Sequence, residues 1–207
     1  MVAIIDYDAG NIKSVEKAVA SLGKEVMVTR NADEILSADH VILPGVGAFG
    51  DAMEKLRSYD LEAVIKKVVE KKVPFLGICL GLQLLFESSE ESEGVKGLGI
   101  LPGEIVRIPA DDDLKIPHIG WNSLSYPNKG RLFRDIPEHS YVYFVHSYYL
   151  KAKEAEIVTA ATEYGVAIHA SVEKDNVFAC QFHPEKSSDV GMKILDNFLN
   201  INRREGY

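Results

Sequence analysis

The first half of the chain alternates continuous apolar runs with segments in which apolar residues recur every three or four positions. The runs VAIIDY, EVMVT, HVILPG and PFLGICL are typical of strands buried in a parallel sheet. Between them, the pattern predicts a helix with Ile12, Val15, Val19 and Leu22 on one stripe and Gly23 at its end, a short acidic helix around ADEILS, and the amphipathic helix LEAVIKKVVEKK. Short β-α connections predict a mostly parallel sheet covered by helices on both faces.

The second half has a different pattern. Several β-rich pieces with turn signals between them, from Lys96 to about Thr162, predict an antiparallel excursion added to the core. VAIHASVEKDNVFACQFHP predicts a hairpin that turns near residues 174–176 and whose second strand returns to the main sheet. A final amphipathic helix follows, with Ser188 as its expected N-cap. Without repeats or linkers, the whole of 1–207 is expected to be a single domain.

Composition and charge exclude several classes of function. The net charge of -8 argues against nucleic acid as a partner, because phosphate binding requires a basic surface. Two cysteines, Cys79 and Cys180, are too few for a disulfide framework and indicate a reducing compartment. The start of the chain reads as a strand rather than a targeting segment, and no run is long enough to span a membrane. We therefore expect a cytoplasmic protein.

A cysteine between two glycines stands where the fourth apolar run gives way to a helix. In GICLG, residues 77–81, Cys79 is at the centre of the pattern. Glycine-x-nucleophile-x-glycine is typical of a nucleophile elbow, a turn too sharp for side chains at its flanks. An elbow presents its nucleophile at the carboxyl edge of the sheet, and the N–H of Leu80 is expected to help bind an oxyanion. The alternative for a lone cysteine is a buried core residue.

A thiol nucleophile needs a base, and one of the six histidines comes with a carboxylate. In QFHPEKS, Glu185 lies two residues after His183, and residues i and i+2 of an extended segment point to the same side. The carboxylate is therefore expected to orient the imidazole, as in a catalytic triad. Taken alone, His-Pro-Glu is better explained as a strand-ending turn. Together with the elbow, it predicts a triad of Cys79, His183 and Glu185.

The glycine-rich segment PGVGAFGD, residues 44–51, follows the third apolar run. It lacks the Gly-Lys-Ser/Thr of a phosphate-binding loop, so the better interpretation is a strip of backbone N–H groups beside the elbow. An ordinary tight turn would explain the same glycines.

Several motifs resemble those of a known family. GICLGLQ and QFHPEKS at this separation resemble the class I, triad-type glutamine amidotransferases. With DYDAGN, PGVGAFGDAM, PHIGWN and YFVHSYY in this order, they are similar to one branch, the glutaminase subunits of imidazole glycerol phosphate synthase. The likeness covers nearly the whole chain. It implies an α/β, flavodoxin-like fold, with a mostly parallel central sheet flanked by helices and an added antiparallel β excursion.

The resemblance also implies an activity and a partner. The glutaminase hydrolyses glutamine through a cysteine thioester and delivers ammonia to a (β/α)8 cyclase subunit in a heterodimer. The cyclase makes imidazole glycerol phosphate and an aminoimidazole carboxamide ribonucleotide in histidine biosynthesis. Neither a cofactor nor a metal is implied.

Carried over by motif position, the resemblance assigns roles to residues of this chain. It implies that Cys79 is the nucleophile, that His183 is the general base and acid, and that Glu185 orients the imidazole. Backbone groups of Val46, Gly47 and Leu80 would form the oxyanion hole. Gln83, Ser147 and Tyr148 would bind the substrate. The interface with the partner would include Trp121, Asn122, Tyr143 and Lys186.

Three further points stay open at this stage. Trp121 and Tyr143 are alternatively core residues. The glycines at 45 and 47 would let the peptide before Val46 flip, so that an oxyanion donor points away until the partner is loaded. Rival functions are the glutaminase of another amidotransferase, such as that of anthranilate or pyridoxal phosphate synthesis, and a catalytically silent binding subunit.

Overall fold

The computed structural model describes residues 1–109 and 114–202. The strands are β1 Val2–Ile5, β2 Val26–Thr29, β3 His40–Leu43, β4 Phe75–Ile78, β5 Ser88–Ser89, β6 Gly103–Arg107, β7 His118–Ser123, β8 Tyr141–His146, β9 Tyr148–Ala152, β10 Val158–Glu163, β11 Ala167–Lys174 and β12 Val177–Cys180. The α-helices are α1 Ile12–Ser21, α2 Ala32–Ser37, α3 Phe49–Ser58, α4 Leu61–Glu70, α5 Leu80–Leu84 and α6 Ser188–Leu199. Short 3₁₀ helices span Arg131–Phe133, Ala155–Ile157 and Pro184–Lys186.

Seven strands form the central sheet, in the order β10-β11-β12-β4-β3-β1-β2. Neighbouring strands from β12 to β2 are parallel, whereas β11 and β10 continue the sheet in antiparallel pairs. The expected α/β fold with a mostly parallel sheet is therefore confirmed. Two smaller sheets stand apart from it: β5-β6-β9, and the antiparallel hairpin β7-β8.

Both faces of the central sheet are buried, which explains why its strands are continuously apolar. Along β1, Ala3 and Ile5 belong to one core cluster and Val2 and Ile4 to the other, because alternate side chains point to opposite faces. The first cluster is covered by α2, α3 and α4, and the second by α1 and α6. The layers fix the positions of the strand ends, where the candidate chemistry lies.

Most of the predicted elements are confirmed, with three differences. The helix α3 was not expected, because Gly50 and the glycines before it made the segment look like a loop. The strand β10 was assigned to the excursion but lies at the edge of the main sheet, paired with β11. The expected N-cap at Ser188 is wrong by one residue: Ser187 precedes the helix, and its hydroxyl donates to the carbonyl of His183 instead of capping α6.

The sequence signals at two turns are confirmed. Gly23 follows α1 with φ of +75°, and its N–H donates to the carbonyl of Ala20, as expected of a helix-ending glycine. The hairpin β11-β12 turns at Asp175 and Asn176, and β12 returns to the main sheet beside β4.

The turn from β4 into α5 lies unusually close to β3. A Cβ atom at Gly81 would stand 1.9 Å from the carbonyl oxygen of Leu43, and one at Gly77 would stand 2.6 Å from the carbonyl oxygen of Gly81. Both obstacles are backbone atoms, which cannot move aside without shifting a strand or a helix. The two glycines that frame Cys79 are therefore required by contact distance.

We predict that Gly81→Ala lowers the free energy of unfolding by about 3 kcal/mol or more, because the added methyl group overlaps the backbone of β3. The matched control is Gly23→Ala. Gly23 has a left-handed φ, which Gly81 does not, but a Cβ at Gly23 meets nothing within 4 Å, so only the conformational cost of about 1 kcal/mol applies there. Chemical denaturation measures both, and equal losses would contradict the steric explanation.

Candidate active site

Cys79 occupies the strained position between β4 and α5. Its backbone has φ of +55° and ψ of -108°, a combination that costs a non-glycine residue on the order of 1–3 kcal/mol. Its N–H donates to the carbonyl of Cys180 on the neighbouring strand β12. The side chain is largely buried but lines a cavity. This is the nucleophile-elbow geometry that the GICLG pattern predicts.

His183 and Glu185 follow β12 at the same carboxyl edge. The Nδ1 atom of His183 lies 2.7 Å from Oε1 of Glu185, and the side-chain amide of Asn11 donates to the same oxygen over 2.6 Å. Both triad side chains are buried. Nε2 of His183 has no hydrogen-bond partner among the described residues. One ring nitrogen is thus fixed by the carboxylate and the other is free for chemistry.

The surroundings of His183 favour its protonated form. Burial lowers its pKa, but the neighbouring Cys79 and Glu185 raise it by more, and the net pKa is about 9. At neutral pH the imidazole is therefore a cation. In this form the imidazole carries a proton that it can give to a leaving group.

The glycine strip lies against the elbow. Gly45 has no room for a side chain, because its Cβ would stand 2.2 Å from the Tyr7 hydroxyl. The N–H of Leu80 donates to the carbonyl of Gly45 over 3.4 Å. In a planar trans peptide the N–H of Val46 points opposite to that carbonyl. The predicted donors Leu80 and Val46 therefore do not converge on one position in this conformation, while Gly47, with φ of +103°, lines the cavity.

A cavity of about 310 Å³ opens beside Cys79. Its size is at the small end of ligand sites and suits an amino acid. Eleven residues line it, mostly from the strip, the elbow with α5, and the end of β8 with the start of β9: Val46, Gly47, Cys79, Leu80, Gln83, Glu91, Pro117, Val145, His146, Ser147 and Tyr148. All three residues expected to bind substrate are among them.

Backbone and amide groups organise the far wall of this cavity. The side-chain amide of Gln83 donates to the carbonyl of Tyr148 over 3.0 Å and to Oε1 of Gln181 over 3.1 Å. Nε2 of Gln181 in turn lies 3.6 Å from the sulfur of Cys79. The carbonyl of Ser147 is taken by the N–H of Ile108.

The residues that the resemblance assigns to a partner lie near the hairpin β7-β8. Trp121 and Tyr143 are directly opposite each other, with ring centroids 6.2 Å apart, and Trp121 is 52% exposed, so it is not a core residue. Lys186 ends the short helix that carries Glu185. Asn122 points to the other face of β7, where its amide donates to the carbonyl of Glu163.

Two residues of the site were missed by the sequence analysis. Asn11 holds Glu185, and its position just after β1, in DYDAGN, places it at the carboxyl edge of the sheet. Gln181, fully buried, contacts Cys79. It stands two residues before His183, so the same i, i+2 argument that selected Glu185 could have selected it.

Within the described part of the chain, no cluster of three or more His, Cys, Asp or Glu side chains is arranged to hold a metal ion. None of the helices in residues 1–109 and 114–202 combines the length and the apolar character needed to cross a membrane.

Comparison with known proteins gives a consistent result. The family model "Glutamine amidotransferase class-I" matches residues 3–201. A protein of Moorella thermoacetica named imidazole glycerol phosphate synthase subunit HisH is 53% identical over 205 residues, which covers 99% of this chain and 97% of that protein. A protein of the same name from Methanocaldococcus jannaschii is 50% identical over 201 residues, 97% of this chain and 100% of the relative.

Solved structures with lower identity share the fold. A crystal structure of a glutamine amidotransferase superposes with a TM-score of 0.73 at 19% identity, covering 96% of this chain and 99% of that one. A structure of PurLQS from Thermotoga maritima gives a TM-score of 0.74 at 21% identity, covering 96% of this chain and 97% of that one.

We predict that Glu185→Gln lowers the pKa of His183 from about 9 by about one unit or more, because a neutral amide no longer stabilises the imidazolium. The pKa of His183 is higher in the folded state than its ordinary value of 6.5, so protonation of this imidazole stabilises the fold. The stabilisation is complete below pH 6.5 and is lost as the pH rises through about 9. NMR titration of the imidazole measures the pKa directly.

The control for this titration is Glu91→Gln, which removes a different carboxylate of the cavity. Glu91 accepts the N–H of Phe49 and is not among the groups that raise the pKa of His183. An unchanged pKa in Glu185→Gln, or an equal fall in both variants, would refute the assignment of the shift to Glu185.

Proposed function

The chain belongs to the class-I glutamine amidotransferases, and we propose that it is the glutaminase subunit of imidazole glycerol phosphate synthase. Identity of about 50% to named subunits of that synthase, over nearly the full length of both chains, carries the assignment. The chain is thus an enzyme that releases ammonia from glutamine. The cavity beside Cys79 supports this activity, because Cys79 lines it together with amide and backbone groups and its volume suits an amino acid.

We assign the first half of the reaction to the Cys79 thiolate. It attacks the carboxamide carbon of glutamine and forms a tetrahedral intermediate whose oxygen carries the negative charge. Backbone N–H groups of Leu80 and of the Val46–Gly47 strip stabilise that oxygen. The His183 imidazolium then gives its Nε2 proton to the departing nitrogen, so that ammonia leaves and a thioester remains.

The second half returns the enzyme to its starting state. Neutral His183 accepts a proton from water at Nε2, and the resulting hydroxide adds to the thioester carbon. Collapse of this intermediate expels the Cys79 thiolate and leaves glutamate, whose new carboxyl group loses its proton to solvent. Glu185, itself held by Asn11, keeps the ring oriented through both steps.

Gln83, Ser147 and Tyr148 are proposed to bind the amino-acid end of glutamine, because they line the cavity opposite the elbow. The position of the Tyr148 carbonyl, fixed by the Gln83 amide, supports this arrangement.

Ammonia released to water at neutral pH becomes ammonium, which is not a nucleophile. Delivery to a docked synthase avoids this loss, and one surface beside the cavity suits such a partner. Ile119, Trp121 and Tyr141, each more than half exposed, form with Tyr143 an apolar surface on the hairpin β7-β8, which we call the hairpin face. We propose that the cyclase subunit binds there, with Lys186 at its border.

The orientation of the glycine strip suggests how hydrolysis is restrained. The N–H of Leu80 donates to the Gly45 carbonyl and is therefore not available to an oxyanion, so the oxyanion hole is incomplete. Rotation of the peptide between Gly45 and Val46 would turn its N–H into the site and release Leu80. We propose that the loaded partner favours this second orientation.

We predict that ammonia release from glutamine is slow for the chain alone, faster with the cyclase subunit, and faster still, by about 100-fold or more over the chain alone, when the cyclase carries its nucleotide ligand. Removing one oxyanion donor from other enzymes lowers the rate by a similar factor, so completing the oxyanion hole should raise the rate of ammonia release by about this much. A coupled assay for ammonia measures the three states, with Cys79→Ala as the inactive control.

Each result of this assay has a distinct meaning. High activity of the chain alone would retain the triad and refute the proposed restraint. Stimulation by the synthase partner of another pathway, but not by the cyclase, would favour the glutaminase of another amidotransferase. Activity in none of the states would leave a silent binding subunit.

We also predict that Trp121→Ala raises the dissociation constant for the cyclase about 30-fold or more, as expected for a buried aromatic residue at the centre of an interface. Isothermal titration calorimetry measures the constant. Lys66→Ala, which alters the exposed side of α4, is the control and should leave it unchanged. Equal affinities for wild type and Trp121→Ala would refute the hairpin face as the docking surface.

A further inference from the structure

A continuous series of hydrogen bonds joins the hairpin β7-β8 to the nucleophile. The part of this series nearest the hairpin is explained neither by the triad nor by the substrate pocket. It runs from Asn122 through two buried histidines, His118 and His146, to the carbonyl of Tyr148. The contacts measure 3.4 Å, 3.0 Å and 2.9 Å in that order. The sequence analysis assigned a functional role to neither histidine.

Backbone groups fix the orientation of the series at its outer end. The Oδ1 atom of Asn122 accepts the N–H of Ser123 over 2.8 Å, and its Nδ2 donates to the carbonyl of Glu163 over 2.9 Å. The amide therefore cannot be reversed without placing donor against donor and acceptor against acceptor. Its second N–H is directed at Nε2 of His118, which must accept.

The inner end fixes the same direction independently. A carbonyl oxygen only accepts, so Nδ1 of His146 must carry a proton and donate to Tyr148. In a neutral ring, Nε2 of His146 is then an acceptor, and Nδ1 of His118 must donate to it. Both histidines thus carry their proton on Nδ1, and the two ends agree on one polarity.

Past Tyr148 the series reaches the reacting atom. The Tyr148 carbonyl accepts a second hydrogen bond, from Nε2 of Gln83. The other N–H of the Gln83 amide donates to Oε1 of Gln181. That contact settles the orientation of the Gln181 amide, so its Nε2 is the group directed at the Cys79 sulfur. The sulfur is the acceptor of this contact, so the Gln181 amide helps to fix its position.

The surroundings keep both histidines neutral. His118 is stacked on Phe144 and on Tyr164, with ring centroids 4.8 Å and 3.9 Å away. Burial lowers the pKa of His118 to about 4. Burial, offset in part by the Tyr148 carbonyl, lowers that of His146 to about 3. The series consequently keeps its polarity over the physiological pH range.

We propose that His118 and His146 are positioning residues of the glutaminase site. Their hydrogen bonds, which run in one direction from Asn122, hold the Tyr148 carbonyl in place. This carbonyl also accepts from the Gln83 amide, which in turn orients the Gln181 amide toward the Cys79 sulfur. The inference rests on the proposed role of Cys79 as nucleophile. Apolar rings would be sufficient if these positions only filled space. Two buried imidazoles in which every ring nitrogen has a partner fix the direction of each hydrogen bond as well.

The first test needs no variant. Nitrogen-15 NMR of the imidazoles at neutral pH should show both His118 and His146 protonated on Nδ1 and bare on Nε2. A proton on Nε2 of either ring would break the direction of the series and overturn the inference.

The second test measures labelling of Cys79 in the full-length chain by a glutamine analogue with an electrophilic side chain, followed by intact mass. His146→Phe should lower the maximal rate of labelling about tenfold and His118→Phe about threefold, the effect of one or two lost hydrogen bonds, with less change in the affinity for the analogue. The phenylalanine ring preserves the stacking of residue 118 on Phe144 and Tyr164 and the edge and tilted ring contacts of residue 146.

His40→Phe is the matched control. His40 makes an edge-to-face contact with Phe198 and a hydrogen bond with the carbonyl of Ile201, at the opposite end of β3 from the site, so its loss should alter the melting temperature alone. If both site variants were labelled at the wild-type rate, or if their rates fell only in proportion to unfolded protein, the inference would be wrong. Wild-type Cys79 that resists labelling even when the cyclase subunit and its nucleotide ligand are present would instead refute the proposed function, and the inference with it.

Discussion

The close approach of the β4-α5 turn to β3 is the constraint on which the site depends. Gly81 touches the carbonyl of Leu43, and Gly77 touches the first turn of α5, so the chain can reverse between them only with Cys79 in a strained conformation. The strain is carried by packing on both sides of the sheet. Because the turn is held so tightly, the glycine strip after β3 is brought into contact with the N–H of Leu80.

Sequence reasoning succeeded where a residue type is dictated by local geometry. Four apolar runs predict four of the five parallel strands because both sheet faces are buried, and the returning strand of the predicted hairpin is the fifth. The glycines around Cys79 predict the elbow because no side chain fits there. The spacing of His183 and Glu185 predicts that both point to one side, and the structure places them in contact. Each of these inferences needs only a few neighbouring residues.

What the sequence could not provide are contacts between segments far apart in the chain. Asn11 meets Glu185 across 174 positions, so no local spacing reveals this contact. Gln181 meets Cys79 across 102 positions, and although its spacing from His183 marks it as a candidate for the site, that spacing does not reveal its contact with the sulfur. The edge position of β10 depends likewise on pairing with β11 rather than on its own pattern. The helix α3 was hidden for a different reason: its N–H groups are satisfied by Glu91 and Ser92 rather than by a local cap.

The strand order has a consequence for biosynthesis. The strand β12, which leads to His183, inserts between β4 and β11, although β4 precedes it by about a hundred residues. A nascent chain that has emerged only as far as β11 holds its sulfur but lacks the strand that carries the base, and the centre of its sheet is open. Such late, long-range strand insertion is slow and leaves exposed edges in the meantime. Proteolytic or ribosomal truncation before β12 therefore yields an inert, aggregation-prone fragment rather than an unregulated glutaminase.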